Sequence, residues 1–363
     1  MLSLILPTYK ERESLPILIP RIVGMLEERH FELIIVDDDS PDRTWEVARE
    51  LSRQFPQVHV IRRVGRRGLS SAVIEGFLAA KGDVFVVMDA DGQHDMHILP
   101  KLYEAVLAGQ DVAIGSRYAE GGSVGTWDER RYALSRIATK LAIRLCRVKV
   151  QDPMSGFFAI NRGLFQDVVK SLNPKGFKIL LDLLVHAPAG IRVREIPFTF
   201  ATRMHGKSKL SRRVQLEFIE YLYDVTAGRY VPLTFVKYCL VGALGVLVNI
   251  AAYAGVSMLL KEGGQLPVFG FRVAVVVSIE IAIIFNFYLN NIWTFAIARL
   301  QGRNLVSGFF KYNVACLFGA VANFAVSSYL FLLGWADIAA VVVGAFTGVI
   351  WNYTMSKMFA WKS

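Results

Sequence analysis

From residue 231 to its end the chain carries only 8 Lys or Arg and 3 Asp or Glu, against 33 and 28 in the first 230 residues. A stretch so poor in charge cannot clothe a water-facing surface, so the last third belongs to a different solvent from the rest. Four apolar runs in it, 231–260, 268–298, 305–334 and 336–360, each exceed the about 20 residues that cross a bilayer as a helix. Gly263-Gly264 and Gly302 punctuate two of the connections. Arg212, Arg213 and Arg229 precede the first run, Arg299 and Arg303 join the second to the third, and Lys362 follows the fourth. The other connections offer little beyond Lys261 and Arg272, so positive-inside logic places both termini and the N-terminal part in the cytoplasm of a multi-pass cell-membrane protein.

The four runs read as two helical hairpins in tandem. Lys237-Tyr238, Gly245 and Asn249 recur at the spacing of Lys311-Tyr312, Gly319 and Asn323, and Asn286-Phe287 with Trp293 echoes Asn352-Tyr353 with Phe359. Glu280 falls near the middle of the second run. A carboxylate there costs at least about 2.5 kcal/mol, so it is expected to face protein or water and to find a partner.

The net charge of +10 is shared evenly between the two parts, which suits an anionic membrane surface and argues against one nucleic-acid patch. Three scattered cysteines, Cys146, Cys239 and Cys316, exclude a disulfide scaffold and a zinc knuckle. The N-terminus begins with a strand-like run and shows neither the basic start nor the long apolar stretch of a signal peptide.

In the first part short β-type runs, Leu2–Leu6, Leu33–Val36, Val58–Ile61, Val84–Met88 and Val112–Ile114, alternate with helical stretches, Leu15–Glu28, Thr44–Gln54, Ser70–Ala80 and Leu99–Leu107. That rhythm predicts an α/β fold with a mostly parallel sheet buried on both faces, and such sheets bind ligands at the carboxyl ends of their strands. Polar residues stand at three of those ends: Pro7-Thr8-Tyr9-Lys10-Glu11, Asp37-Asp38-Asp39 and Asp89-Ala90-Asp91 with Gln93 and His94. Carboxylates at a strand end can hold Mg²⁺ or Mn²⁺ through one or two protein ligands while diphosphate oxygens fill the remaining positions. Capping of the following helix by Ser40 or Asp42 is the plainer use of the aspartates near residue 40. Neither a G-x-G-x-x-G fingerprint nor a P-loop is present, so phosphates have to be met by metal and side chains. Two stretches of mixed basic and apolar character, Arg130–Arg147 and Ser211–Tyr223, have the pattern of helices lying in a membrane interface.

With these residues assembled, the first part resembles the family two glycosyltransferases and, within them, the dolichyl-phosphate mannose synthases. The segments that carry the likeness are LPTYKERESLP, IIVDDDSPDRTWE, GLSSAVIEGF, DVFVVMDADGQH, IGSRY, DPMSGFFAI and Arg203–Leu210, in family order. The last third resembles the four-helix domain of bacterial GtrA-like proteins, including the N-x-x-W-T-F segment Asn290–Phe295. The resemblance implies a GT-A type nucleotide-sugar domain over about 1–210, an interface helix and linker over 211–230, and a transmembrane domain over 231–363. It implies further that Pro7, Tyr9, Glu11, Val36, Asp38, Asp89, Ala90, Asp91, Gln93, Arg203 and Lys209 bind the donor. Asp91 and Gln93 would ligate Mg²⁺ or Mn²⁺, and Arg117, Arg131 and Ser135 would bind the lipid phosphate, with Asp91, Arg117 and Arg131 closest to the chemistry. Arg130 is an equal candidate for the Arg131 contact.

The function so implied is inverting transfer of mannose from GDP-mannose to dolichyl or another polyprenyl phosphate. Glucose transfer from UDP-glucose is the close alternative, and a lipid-linked-sugar flippase with a ligand-binding domain is the alternative of another class. No Q-x-x-R-W motif speaks for a processive synthase. The sequence sets no oligomeric state.

Overall fold

The structure, a computed structural model, describes residues 1–125, 129–174, 178–201, 212–259 and 273–362, with backbone alone at 129–131, 134 and 212–215. It divides into two compact units, Met1–Val225 and Thr226–Ser363.

The first unit begins with strand β1 (Leu2–Thr8), helix α1 (Leu15–Leu26), β2 (Phe31–Asp37), α2 (Thr44–Gln54), β3 (Val58–Arg62), α3 (Leu69–Ala79) and β4 (Val84–Val87). It continues through α4 (Leu99–Leu107), β5 (Val112–Ser116), α5 (Glu129–Leu145), β6 (Phe158–Asn161), α6 (Arg162–Val168), α7 (Ile179–His186), β7 (Val193–Pro197) and α8 (Arg212–Thr226). The seven strands form one sheet in the order β3-β2-β1-β4-β6-β5-β7, parallel except for β6. The inner strands are buried along nearly their whole length and mostly apolar, so both faces are covered. Leu4, Leu6, Leu33 and Val86 pack under α1 and α4 on one side, and Ile5, Val36, Phe85 and Val87 pack under α3 and α7 on the other.

Two features of this topology set the site. The strand order reverses direction between β1 and β4, which opens a crevice at their carboxyl ends. In addition, β6 runs against its neighbours, so the segment entering it, Asp152–Phe157, emerges at the same edge. The pairing Val87↔Phe158 brings the residues just after β4 beside those just before β6.

Helices α5 and α8 occupy the two stretches of mixed basic and apolar character. Ala142 of α5 is buried with Met154, Leu181 and Val185, and Phe218, Tyr221 and Val225 of α8 pack on the same cluster. Tyr221 donates a 2.9 Å hydrogen bond to Asp182 Oδ1. Away from this contact Tyr132, Ile137 and Leu141 of α5 and Leu216 and Ile219 of α8 are exposed apolar side chains.

The second unit holds α9 (Leu233–Leu259), α10 (Val273–Leu289), α11 (Arg303–Leu332) and α12 (Asp337–Met355), with π-helical turns at Asn290–Thr294 and Ser356–Ala360. With those turns included, all four helices are long and apolar enough to cross a membrane. Their outer faces are apolar and exposed, and the few buried positions are mostly small or aromatic, among them Gly245, Ala274, Ser278, Gly319, Ala340 and Gly344. Ala340, Gly344 and Gly348 recur every fourth residue on α12, and a Cβ at Gly344 or Gly348 would stand 2.7 or 2.8 Å from a backbone carbonyl of α11. The hairpins repeat one contact: a Cβ at Gly245 would collide with the amide of Asn286, and one at Gly319 with that of Asn352. Near the π turns Trp361 is fully buried, stacks on Phe295 at 4.7 Å and donates to Asn291 Oδ1 at 2.9 Å.

The buried face of α10 is Ala274, Ser278, Ala282 and Phe287, and Glu280, two positions beyond Ser278, stands off that face and is exposed.

Candidate active site

The three aspartates after β2 are chemically alike and do three different things. Asp37 is fully buried and ties loops together: its Oδ2 accepts from Thr8 Oγ1 (2.9 Å) and Ser40 Oγ (2.6 Å), and its Oδ1 accepts from Ser40 N (2.9 Å). Asp39 pairs at the surface with Arg62. Asp38 turns into the sheet edge, where Oδ1 accepts from Arg63 Nη1 (2.5 Å) and Oδ2 from Gly68 N (2.7 Å). Burial pushes the Asp38 carboxyl above the usual carboxylate range, with the Gly68 and Arg63 donors pulling the other way. At the start of α2, Asp42, one residue before the N-cap Arg43, accepts at Oδ1 from Thr44 N and Oγ1, while Ser40 serves Asp37.

Arg63, only 2% exposed, is a residue that no motif announced. Besides Asp38 it reaches Glu75 Oε2 (3.1 Å), Ser71 Oγ (2.6 Å) and the Gly68 carbonyl (3.2 Å), so it fixes the carboxylate of Asp38 and the turn into α3 together. Gly68 has φ +140°, which a side chain would oppose.

The segment after β1 is held against the same loop. Lys10 N donates to Ser40 Oγ and Glu11 N to Thr44 Oγ1, both at 3.0 Å, and Lys10 and Asp39 both adopt positive φ, backbone strain of the kind that gathers at functional sites. Glu11 accepts from Ser14 Oγ at the start of α1. The half-buried Tyr9 ring lies under the Arg67 guanidinium at 5.0 Å and the Lys10 ammonium at 5.7 Å. Pro7 and Val36 are register partners in adjacent strands. Val36 is fully buried with its side chain in the core, which leaves its backbone as what it offers at this edge.

After β4, Asp89 lies beside Gly156, where an added Cβ would stand 2.8 Å from Asp89 Oδ2 and push the carboxylate from its place. Ala90 is buried, and Asp91 Oδ1 accepts from Gln93 N (3.1 Å). Gln93 donates its side-chain amide to the Ala201 carbonyl (3.0 Å) and accepts at its own carbonyl from Ala201 N (2.9 Å). This clamp anchors the chain immediately before Arg203 and Lys209, which lie outside the described residues. Asp89, Asp91 and Gln93 offer hard oxygen donors in one turn, which fits Mg²⁺ or Mn²⁺. No group of three His, Cys, Asp or Glu able to hold a metal ion occurs among the described residues.

His94 is a structural side chain. Its ring packs among Phe157, Phe198 and Phe200, its Nδ1 accepts from Asp89 N (3.2 Å), and burial pulls its pKa down to about 4. At neutral pH the imidazole is therefore uncharged, with Nδ1 as the acceptor that orients the Asp89 turn.

Arg117, the residue after β5, grips Asp152 through both Nε and Nη2 at 2.8 Å, with its own N–H also on Oδ2 at 3.1 Å. Asp152 is fully buried and Arg117 nearly so, a pair with the geometry of a fixed scaffold element. Tyr118 lies between the Arg117 and Arg136 guanidiniums and hydrogen-bonds through its hydroxyl to Ser135 Oγ (2.8 Å). The fold thus brings Arg117 and Ser135 into one cluster and adds Arg136; the side chains of Arg130 and Arg131 lie outside the described residues.

Residues 3–169 match the model of glycosyl transferase family 2, and residues 237–361 match the GtrA/DPMS transmembrane domain. A dolichol-phosphate mannosyltransferase from Pyrococcus furiosus is 42% identical over 99% of both chains. A polyprenol monophosphomannose synthase from Mycolicibacterium smegmatis is 39% identical over 57% of this chain and 80% of its own. Among solved structures, a glucosyl-3-phosphoglycerate synthase from Mycobacterium tuberculosis aligns with 62% of this chain and 80% of its own, at 20% identity and a TM-score of 0.46. Joining a family 2 glycosyltransferase unit to four membrane-crossing helices, and matching a relative end to end, the chain is a multi-pass membrane glycosyltransferase that belongs to the dolichol-phosphate mannosyltransferase family.

Proposed function

We propose that the protein transfers mannose from GDP-mannose to the phosphate of dolichol or a related polyprenol, by a single inverting displacement that needs Mg²⁺ or Mn²⁺. The observation that carries this reading is the gathering of Asp38, Asp89, Asp91, Gln93 and Arg117 at one sheet edge, in a chain whose full-length relative is a dolichol-phosphate mannosyltransferase. Tyr9, Glu11 and Asp38, with the backbone of Pro7 and Val36, hold the nucleoside. Asp89, Ala90 and Asp91 meet ribose and diphosphate, Asp91 and Gln93 hold the divalent ion, and Arg203 and Lys209 reach the diphosphate. A bound divalent ion supplies charge stabilisation to the departing nucleotide diphosphate. On the other side Arg117, Arg131 and Ser135 orient the lipid phosphate.

No side chain acts as general base. A phosphate monoester has its second pKa near about 6 and arrives anionic, whereas a hydroxyl would need a positioned base. The candidate bases are engaged in ways that support this division of labour: Asp152 is bound to Arg117, Glu11 accepts from Ser14 Oγ, and His94 is held neutral among phenylalanines. The exposed apolar side chains of α5 and α8 support a place for these helices in the membrane interface, where a polyprenyl phosphate presents its headgroup. The sparse charge of the odd-numbered connections supports a cytoplasmic site with both termini on that side.

Purified protein given polyprenyl phosphate and either labelled GDP-mannose or UDP-glucose tests the reading. Turnover of GDP-mannose, lost on chelation and restored by Mg²⁺ or Mn²⁺, is the expected result. Preference for UDP-glucose, or full activity in excess chelator, would overturn it.

A further inference from the structure

Lys178 stands at the N-cap of α7, a position that local physical chemistry disfavours for it. An ammonium neither caps the helix N–H groups nor suits the positive end of the helix dipole. Its side chain makes no cap and instead runs toward the Met154 carbonyl, with Nζ at 3.4 Å. Met154 belongs to the loop entering β6, and the same loop binds Arg117 through Asp152 and cradles Asp89 at Gly156. The charges that act on the ammonium are Arg117, Asp152 and Asp89, which are the groups on the acceptor and donor sides of the crevice. Burial, and then Arg117, pulls the lysine down to about 8, against Asp152 and Asp89, so it remains mostly a cation at neutral pH. A half-buried ammonium at a helix N-terminus is costly, and such a breach of local preference marks a functional position.

We propose that Lys178 is a phosphoryl-binding cation of the transfer site, placed where the donor diphosphate and the lipid phosphate meet. The inference rests on the transfer reading above. Both substrates are anionic, and Lys178, held against the loop that also binds Arg117, adds a second cation that offsets the repulsion between the two phosphoryl groups.

The test is Lys178→Asn in the full-length protein, with Lys178→Arg beside it. Asparagine is a favoured N-cap, so the first variant removes the charge while leaving α7 as stable or more so. Lys178→Asn is expected to keep its thermal midpoint and lose roughly 10- to 100-fold in kcat/KM, the worth of a charged hydrogen bond, and Lys178→Arg to recover most of it. Calorimetric titration with GDP and Mg²⁺, and KM for polyprenyl phosphate, identify the partner: weaker GDP binding marks the diphosphate, a raised acceptor KM the lipid phosphate. Turnover of Lys178→Asn within threefold of the parent, with both affinities intact, would overturn the proposal, as would a fall in stability with unchanged kinetics. Should the parent itself turn over no nucleotide sugar, the transfer reading fails instead, and GDP titration of the two variants still reports on Lys178.

Discussion

His94 and Asp91 sit three residues apart and answer to different experiments. The folded pKa of His94, about 4, lies below the free value of 6.5, so the native state favours the neutral ring. Stability from this group is full above about pH 6.5 and falls as pH drops toward 4, by up to roughly 3 kcal/mol. Unfolding midpoints measured from pH 7 to 4.5 should slope downward in the parent and less in His94→Phe, which keeps an aromatic ring among Phe157, Phe198 and Phe200; parallel slopes would refute the assignment. Asp91→Ala gives up a local hydrogen bond, from Gln93 N, and should lower the midpoint only slightly while lowering turnover by about 10²-fold or more, since it removes a metal ligand. An active, chelator-resistant Asp91→Ala protein would contradict it. Asp38, Asp89 and Asp91 were legible in the sequence because each follows an apolar run and so must emerge at a strand end. Arg63 and Lys178 were not: a charge in a run such as Arg62-Arg63 looks like a solvated face until the fold turns it inward, and nothing local to Lys178 announces Asp89 or Asp152. The triple Asp37-Asp38-Asp39 shows the same limit, since its members differ only in where each side chain points.

The elements divide in the same way. The five strands and four helices expected in the first 114 residues are present to within a residue or two, because apolar runs between turn residues leave little choice. Strands β6 and β7 escaped notice: β6 is four residues inside DPMSGFFAI, β7 is a partly exposed Val-Arg-Glu-Ile-Pro, and composition carries no sign of strand direction. Yet the antiparallel run of β6 is what delivers Asp152 and Gly156 to the site. In the second unit glycine governs how closely helices approach. Gly344→Ala and Gly348→Ala each press a methyl group on a backbone carbonyl of α11 and should destabilise by about 1–3 kcal/mol. Gly242→Ala and Gly255→Ala meet nothing within 4 Å and should be neutral or slightly stabilising, helix propensity favouring alanine. Thermal unfolding in one detergent compares the four; equal effects would show that close packing at α12 is not what these glycines serve.

At the scale of the whole chain, the two units differ in solvent and should differ in duty. The first has its own buried clusters on both faces of the sheet, so a protein ending near Gly228 should fold and bind GDP with Mg²⁺ as the full chain does. Loss of that affinity in a folded truncation would place donor contacts beyond residue 228. Arg131→Ala in the full chain should raise the KM for lipid phosphate while leaving donor affinity alone, and an effect from Arg130→Ala in its place would move the contact by one residue. Direct transfer between two anionic substrates leaves its mark on the product. Full-length protein incubated with labelled GDP-mannose, polyprenyl phosphate and Mg²⁺ should yield a lipid-phosphate mannose whose anomeric configuration by NMR is β, inverted from the α-linked donor. An α-linked product, or protein that binds GDP-mannose yet forms no mannosyl lipid, would contradict it.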